Sequence, residues 1–179
     1  MKWAISIISL GFIASSLAAP TDGLDLFKLK ISSPVKAIDD RYLSSNASTI
    51  GVYDIDDTAA IRVYRTSSKK AGCSQLHTYP VGIVDHALAL VGSNGLMTLT
   101  DMVNPSGAKP ADGLVMEWDA FRVSNGKLTN DGQGRWVAFP GAKDSWGVKW
   151  TDGSAFMTAD YMPVEIVMEA AGEGRYNSE

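Results

Sequence analysis

The chain has 179 residues, with 16 Lys and Arg against 20 Asp and Glu, a net charge of −4 and 45% hydrophobic residues. An acidic surface repels nucleic-acid phosphates and anionic lipid headgroups alike, so neither nucleic acid nor a membrane is expected as a partner. Cys73 is the single cysteine, which excludes a disulfide within the chain.

The N-terminal stretch carries Lys2, then an almost uncharged run over residues 3–17, then the small residues Ser16, Ala18 and Ala19. That order is the pattern of a secretory signal peptide, and cleavage after Ala18 puts Ser16 and Ala18 at the small-residue positions. The run falls short of the roughly 20 apolar residues that cross a bilayer, so a released protein, extracellular or in a cell wall, is expected. The expected organisation is a leader over residues 1–18, one domain over 19–170, and a flexible tail over 171–179 where apolar alternation stops. About 160 residues suffice to bury a core without disulfides.

Along the domain, Phe27, Leu29 and Ile31 alternate with Lys28 and Lys30, the period of a half-buried strand. Asn46-Ala47-Ser48 is the only glycosylation sequon, since Asn104 is followed by Pro105. A sugar on Asn46 places that segment at the surface. Residues 49–53 read as a strand, and the carboxylates of Asp54, Asp56 and Asp57 follow it. A calcium loop starting at Asp54 fails, because Thr58, Ala59 and Arg65 stand where an oxygen ligand, a glycine and a glutamate are required. No metal or other cofactor is expected.

Ile61 and Val63 alternate around Arg62, and residues 75–79, 87–91, 96–100, 114–123, 135–139, 146–150 and 164–168 complete about ten short strands. Residues 84–91 also suit a short helical turn, but they run into strand-like sequence. Asn94-Gly95, Asn125-Gly126, Asp131-Gly132 and Asp152-Gly153 mark tight turns, which demand positive φ. Residues 93–101 resemble 124–131, as two similar hairpins would; residues 44–54 match them poorly. An all-β, single-domain antiparallel β-sandwich or β-barrel is expected, with a β-trefoil as the alternative. Residues 105–113, with two prolines and two glycines, form the longest loop and a candidate contact surface.

Cys73, His77, Asp85 and His86 are the residues from which a nucleophilic site could be assembled. On one strand, Cys73 and His77 would stand about 13 Å apart, and Asp85 and His86 would point to opposite faces. A buried thiol and two structural histidines are therefore expected. Asp101, Glu117, Asp119 and Asp144 could supply a glycosidase's carboxylate pair only at a separation that sequence does not define; Glu117 and Asp119 share one face of the 114–123 strand. Trp118, Trp136, Trp146 and Trp150 form the aromatic group. Of these, Trp136, Trp146 and Trp150 are candidate ligand-binding residues, able to stack on sugar rings, although a core without disulfides also claims them.

The leader, the alternating strands, the run from Thr78 through Pro80, Asp85 and His86 to Val91, the Asn94-Gly95 hairpin and the tryptophan strand around Trp146 and Trp150 together resemble small secreted proteins of ascomycete fungi. The resemblance is to the group around the phialide-associated cell-wall protein, which includes IgE-binding antigens. Members carry several cysteines where this chain has only Cys73. The resemblance implies a secreted, non-enzymatic protein, wall-associated or released to the apoplast and acting by surface recognition. Alternatives are an effector or elicitor of host cell death or defence, and a lectin-like polysaccharide-binding module. Expected partners are a cell-wall polysaccharide or a host surface protein; the protein is expected to be a monomer with no catalytic residue.

Overall fold

A computed structural model describes residues 23–53 and 59–176. Its strands are β1 Gly23–Ser32, β2 Ser44–Asn46, β3 Thr49–Val52, β4 Arg62–Ser67, β5 Ser74–Tyr79, β6 His86–Ser93, β7 Leu96–Val103, β8 Val115–Glu117, β9 Phe121–Ser124, β10 Lys127–Asn130, β11 Arg135–Pro140, β12 Trp146–Thr151 and β13 Met162–Arg175. The leader and the acidic cluster at Asp54, Asp56 and Asp57 lie outside the described residues.

The all-β expectation holds, with thirteen strands in one antiparallel sheet that closes on itself. One circuit runs β1, β4, β5, β6, β7, β12, β11, β13 and back to β1. The β9–β10 hairpin bridges β5 and β13, while β2–β3 and β8 attach outside that circuit. The trefoil alternative gives way, because this circuit does not divide into three equivalent strand groups. Ring closure satisfies backbone donors and acceptors that an open sheet would leave on two long edges.

Residues 114–123, expected as one strand, divide into β8 and β9 at Trp118, Asp119 and Ala120. The two resembling segments are both hairpins with the same turn: Asn94 and Asn125 have φ of 51°, Gly95 and Gly126 of 75°. Positive φ at both central residues is what matches a two-residue turn to the strand twist. The β2–β3 hairpin makes the same kind of turn with Ala47 at φ 47° and Ser48 at 69°. Neither residue type advertises that conformation, so β2 is invisible in the sequence.

Leu29, Ile31, Val63, Leu76, Leu88, Leu90, Leu99, Phe121, Leu128, Trp136, Val148, Trp150 and Ile166 belong to one buried core to which nearly every strand contributes. On the opposite face of β1, Leu24 and Leu26 join Tyr64 in a smaller cluster with Tyr79, Val81 and Ala171 against it. Both faces of β4 are thereby covered, by Val63 inward and Tyr64 outward.

The C-terminal segment is a correction. Residues 171–175, expected to be a flexible tail, continue β13, which pairs with β1 from Ser32↔Glu165 to Gly23↔Arg175. A register shift between Asp25 and Phe27 accompanies Gly172 at φ 88°; the extra residue on β13 erases the period-two signature there. Backbone pairing holds this stretch, with Ala171 packed against the outer cluster.

Charged side chains reinforce the β1–β13 pair. Lys30 Nζ lies 3.2 Å from both Asp40 Oδ1 and Glu169 Oε2, and the Tyr42 hydroxyl donates to Glu169 Oε1 at 2.5 Å. The Tyr42 hydroxyl foremost, then Lys30, holds the Glu169 carboxyl below its ordinary value. A carboxyl lowered by folding adds stability above its unfolded pKa and loses it as pH falls through the folded value. Glu169→Gln should therefore melt earlier than wild type near about pH 7, with the gap closing by about pH 2, as followed by circular dichroism.

Candidate functional site

The connection from β5 to β6, residues 80–85, combines a packed root with an apolar tip. At the root the Tyr79–Pro80 peptide is cis, and the Tyr79 ring packs over Gly174 of β13. The Arg62 guanidinium sits over the same ring, 4.9 Å from its centroid. At the tip Ile83 is fully exposed and Val84 is 49% exposed. Alongside opens a cleft of about 770 Å³ lined by Lys28, Arg62, Tyr79, Ile83, His86 and Asp101, among others. The cleft is thus apolar at its lip and charged along its walls.

Gly174 sets the height of the loop's root. A methyl there would lie 2.7 Å from Tyr79 Cε2 and 3.0 Å from a Leu26 methyl. Gly174→Ala is expected to cost about 2 kcal/mol through overpacking. A denaturant titration checks it, with a Leu26→Val background restoring part of the loss.

Adjacent residues on β5 face opposite ways, and each carries its own carboxylate contact. His77 Nδ1 meets Asp85 Oδ1 at 2.7 Å, while the Thr78 hydroxyl donates to Asp101 Oδ1 at 3.2 Å and His86 Nδ1 lies 3.4 Å from Asp101 Oδ2. Asp85 lies in the loop before β6, so it and His86 do not share a strand, and they engage different partners. Sequence spacing missed the His77–Asp85 pair, because a loop folds Asp85 back onto β5.

The other His77 nitrogen, Nε2, lies 3.1 Å from the Thr66 hydroxyl and 3.3 Å from Gln75 Oε1. Carboxylate, imidazole and hydroxyl thus stand in the order of a nucleophilic triad. The Thr66 hydroxyl, however, donates its one proton to Gln75 Oε1 at 3.1 Å, and His77 is only 8% exposed between Tyr64 and Trp118. This network holds the loop against β4 and β5. Cys73 is buried just before β5, its Sγ 3.8 Å from the Ala71 carbonyl, and burial of the thiol matches the expectation.

The four acidic candidates have separate settings. Asp101 belongs to the cleft, Glu117 accepts from Asn130 Nδ2 at 2.6 Å, Asp119 pairs with Lys70 at 3.4 Å, and Asp144 is exposed on the β11–β12 turn. Division of the expected strand sends Glu117 and Asp119 to different partners. Among the described residues no group of three His, Cys, Asp or Glu is placed to hold a metal ion.

The tryptophan platform is corrected. Trp136 is 2% and Trp150 4% exposed, edge to face at 5.2 Å between centroids, and Trp136 Nε1 donates to the Leu128 carbonyl at 2.6 Å. Trp146 is half-buried against the same core. All three tryptophans serve the core, the use that a domain without disulfides has for them, and the sugar-stacking candidacy of Trp136 and Trp150 falls with their burial. Strand alternation turns Trp146, Val148 and Trp150 to the same inward face. Asn46 is exposed at the β2–β3 turn, the setting expected of the sequon. Residues 105–113 connect β7 to β8, and the Asn104 N–H donates to the Asp85 carbonyl at 2.7 Å, which puts this loop beside the β5–β6 connection.

Arg62, Tyr79, Ile83 and Val84 were not singled out from sequence. The available signal was an apolar run, Val81 to Val84, broken by glycine and following a proline, which fits no strand. No family model, curated protein or solved structure matches the chain.

Proposed function

We propose that the protein is a secreted, non-enzymatic recognition protein, held in a fungal cell wall or released to the apoplast, that engages a partner through the β5–β6 loop and its cleft. Full exposure of Ile83 beside a half-exposed Val84 carries this reading. Covering apolar area gains about 25 cal/mol per Å², so a loop that leaves two branched aliphatic side chains in water keeps that gain for a partner. An apolar lip favours a protein surface over a polysaccharide chain, and the charged walls add orientation. The resemblance to the phialide-associated cell-wall group supports the wall setting, and exposed Asn46 is the proposed glycosylation site.

Fractionating a producing culture into wall and medium tests the reading. The double variant Ile83→Asp, Val84→Asp is expected to lose partner retention roughly 100-fold, because each side chain contributes about 1.5 kcal/mol or more on burial. Its melting temperature should stay unchanged, since neither residue belongs to the core. Undiminished retention removes the loop from the proposal, and hydrolysis of a glycan or peptide lost on Asp85→Asn removes the non-enzymatic reading.

The effector alternative rests on the same exposed loop. It predicts cell death or defence signalling in leaves infiltrated with the protein and silence from the double variant. The lectin-like alternative predicts recovery on chitin, β-glucan or cellulose.

A further inference from the structure

Two cations stand side by side on the wall of the β5–β6 cleft. Lys28 and Arg62 are direct cross-strand partners in the antiparallel β1–β4 ladder, and both line the cleft together with Tyr79, Ile83 and Val84. Residues directly opposite on one face of such a pair have Cβ atoms about 4.5–5.5 Å apart, and like charges there destabilise the sheet. The chain as a whole has more carboxylates than cations, yet among the described residues neither Lys28 nor Arg62 forms an ion pair.

The carboxylates around them serve other groups. Glu169, which stands opposite Lys28 on β13, has one oxygen against Lys30 and the other accepting from the Tyr42 hydroxyl. Asp101, inside the cleft, accepts from the Thr78 hydroxyl through Oδ1 and lies beside His86 Nδ1 through Oδ2. Aromatic rings orient the two cations instead. Lys28 Nζ lies 4.9 Å from the centroid of the Tyr42 ring, and the Arg62 guanidinium lies 4.9 Å from that of Tyr79. Such contacts contribute about 0.5–1 kcal/mol at exposed sites and neutralise no charge. The pair therefore keeps two positive charges, with ammonium and guanidinium donors, for an anion that the chain itself does not provide.

The apolar lip restricts what that anion is. Ile83 is fully exposed and Val84 half-exposed beside the cations, so the ligand that fits brings C–H surface next to its negative charge. A carboxylate matches the guanidinium fork with two parallel hydrogen bonds, and aliphatic side chains cover the lip. We infer that the cleft binds an acidic peptide segment of a partner protein, with a carboxylate seated between Lys28 and Arg62 and a neighbouring aliphatic side chain against Ile83 and Val84. The inference rests on the recognition role proposed for the β5–β6 loop.

Nuclear magnetic resonance of the isotopically labelled protein, titrated with the blocked peptide acetyl-Leu-Asp-Leu-Glu-Leu-amide, tests this. Saturable shifts of the Arg62 Nε–H and of the Ile83 and Val84 methyl groups are expected, with affinity falling as salt is added. The counterpart peptide with Asn and Gln should bind at least tenfold more weakly, and Lys28→Gln and Arg62→Gln should each weaken the acidic peptide at least tenfold. Arg62→Lys keeps the charge and should bind more tightly than Arg62→Gln; unchanged circular dichroism spectra verify that the variants are folded. Equal affinity for the neutral peptide, undiminished binding by both Gln variants, or no binding at all overturns the inference. Partner retention lost in the Ile83, Val84 double variant but kept in the Lys28 and Arg62 variants overturns this inference alone, whereas retention kept by the double variant removes the loop's role itself. Tighter binding of trigalacturonate, which has carboxylates without aliphatic side chains, overturns the assignment to a peptide.

Discussion

Trp136→Ala is expected to lower the unfolding free energy by about 4 kcal/mol, within the range for emptying a buried aromatic site. Trp136 is 2% exposed, meets Trp150 edge to face at 5.2 Å and donates its indole N–H to Leu128. The alanine variant loses apolar burial, leaves a cavity and strands the Leu128 carbonyl in the interior. Trp136→Phe separates these contributions, because it keeps an aromatic ring and loses the donor. A penalty of about 1–2 kcal/mol is expected for it. Chemical denaturation followed by far-ultraviolet circular dichroism checks both variants, and a loss below 1 kcal/mol for alanine would contradict the placement of Trp136 in the core. The same result bears on function, since Trp136, buried and essential to packing, cannot present its face to a polysaccharide.

Gly92→Ala should cost about 3 kcal/mol, at the upper end for overpacking, because the obstacle is backbone. An added methyl would overlap the Leu96 carbonyl and stand 2.7 Å from Met97 Cα. Met97 is the residue paired opposite Gly92 in the hairpin, so the only relief is separation of β6 from β7. Both strands are members of the closed circuit, and β7 also pairs with β12 through Trp150↔Met97. The strain therefore reaches the pocket beside the Asn94-Gly95 turn, which Met97 and Trp150 line. Thermal unfolding reads the stability loss. A melting temperature within about 2 °C of wild type, no more than a 1 kcal/mol change produces, would show that the hairpin tolerates the methyl.

Strand positions were legible wherever one face of a strand meets the core and the other meets water. Leu29 and Ile31, or Val148 and Trp150, repeat at period two because successive side chains point to opposite sides. The same rule hid β13 beyond Met168, where Glu169, Ala170, Glu173 and Gly174 are held by main-chain pairing to β1 on either side of a register shift. It also hid the division between β8 and β9. Of the candidate cleft, His86 and Asp101 belong to two different candidate groups in the sequence, and their proximity to Thr78, Tyr79 and Arg62 comes from three different strand pairings. Glu117 and Trp150 had been considered for separate roles, and the fold brings both into one pocket with Asn130 and Asp152.

The sequence by itself determined the strand-rich class, the two Asn-Gly hairpins, the absence of an internal disulfide and the acidic balance, because each depends on covalent identity or on neighbours a few residues apart. Tertiary structure alone decided that the sheet closes into a ring, that the tryptophans turn inward, and that His77 meets Asp85. It also decided that Glu117 meets Asn130 across the β8–β9 division. Those properties depend on which distant strands pair and in which register, and backbone hydrogen bonding can join any two strands. Only the simultaneous burial of all the apolar faces selects one arrangement.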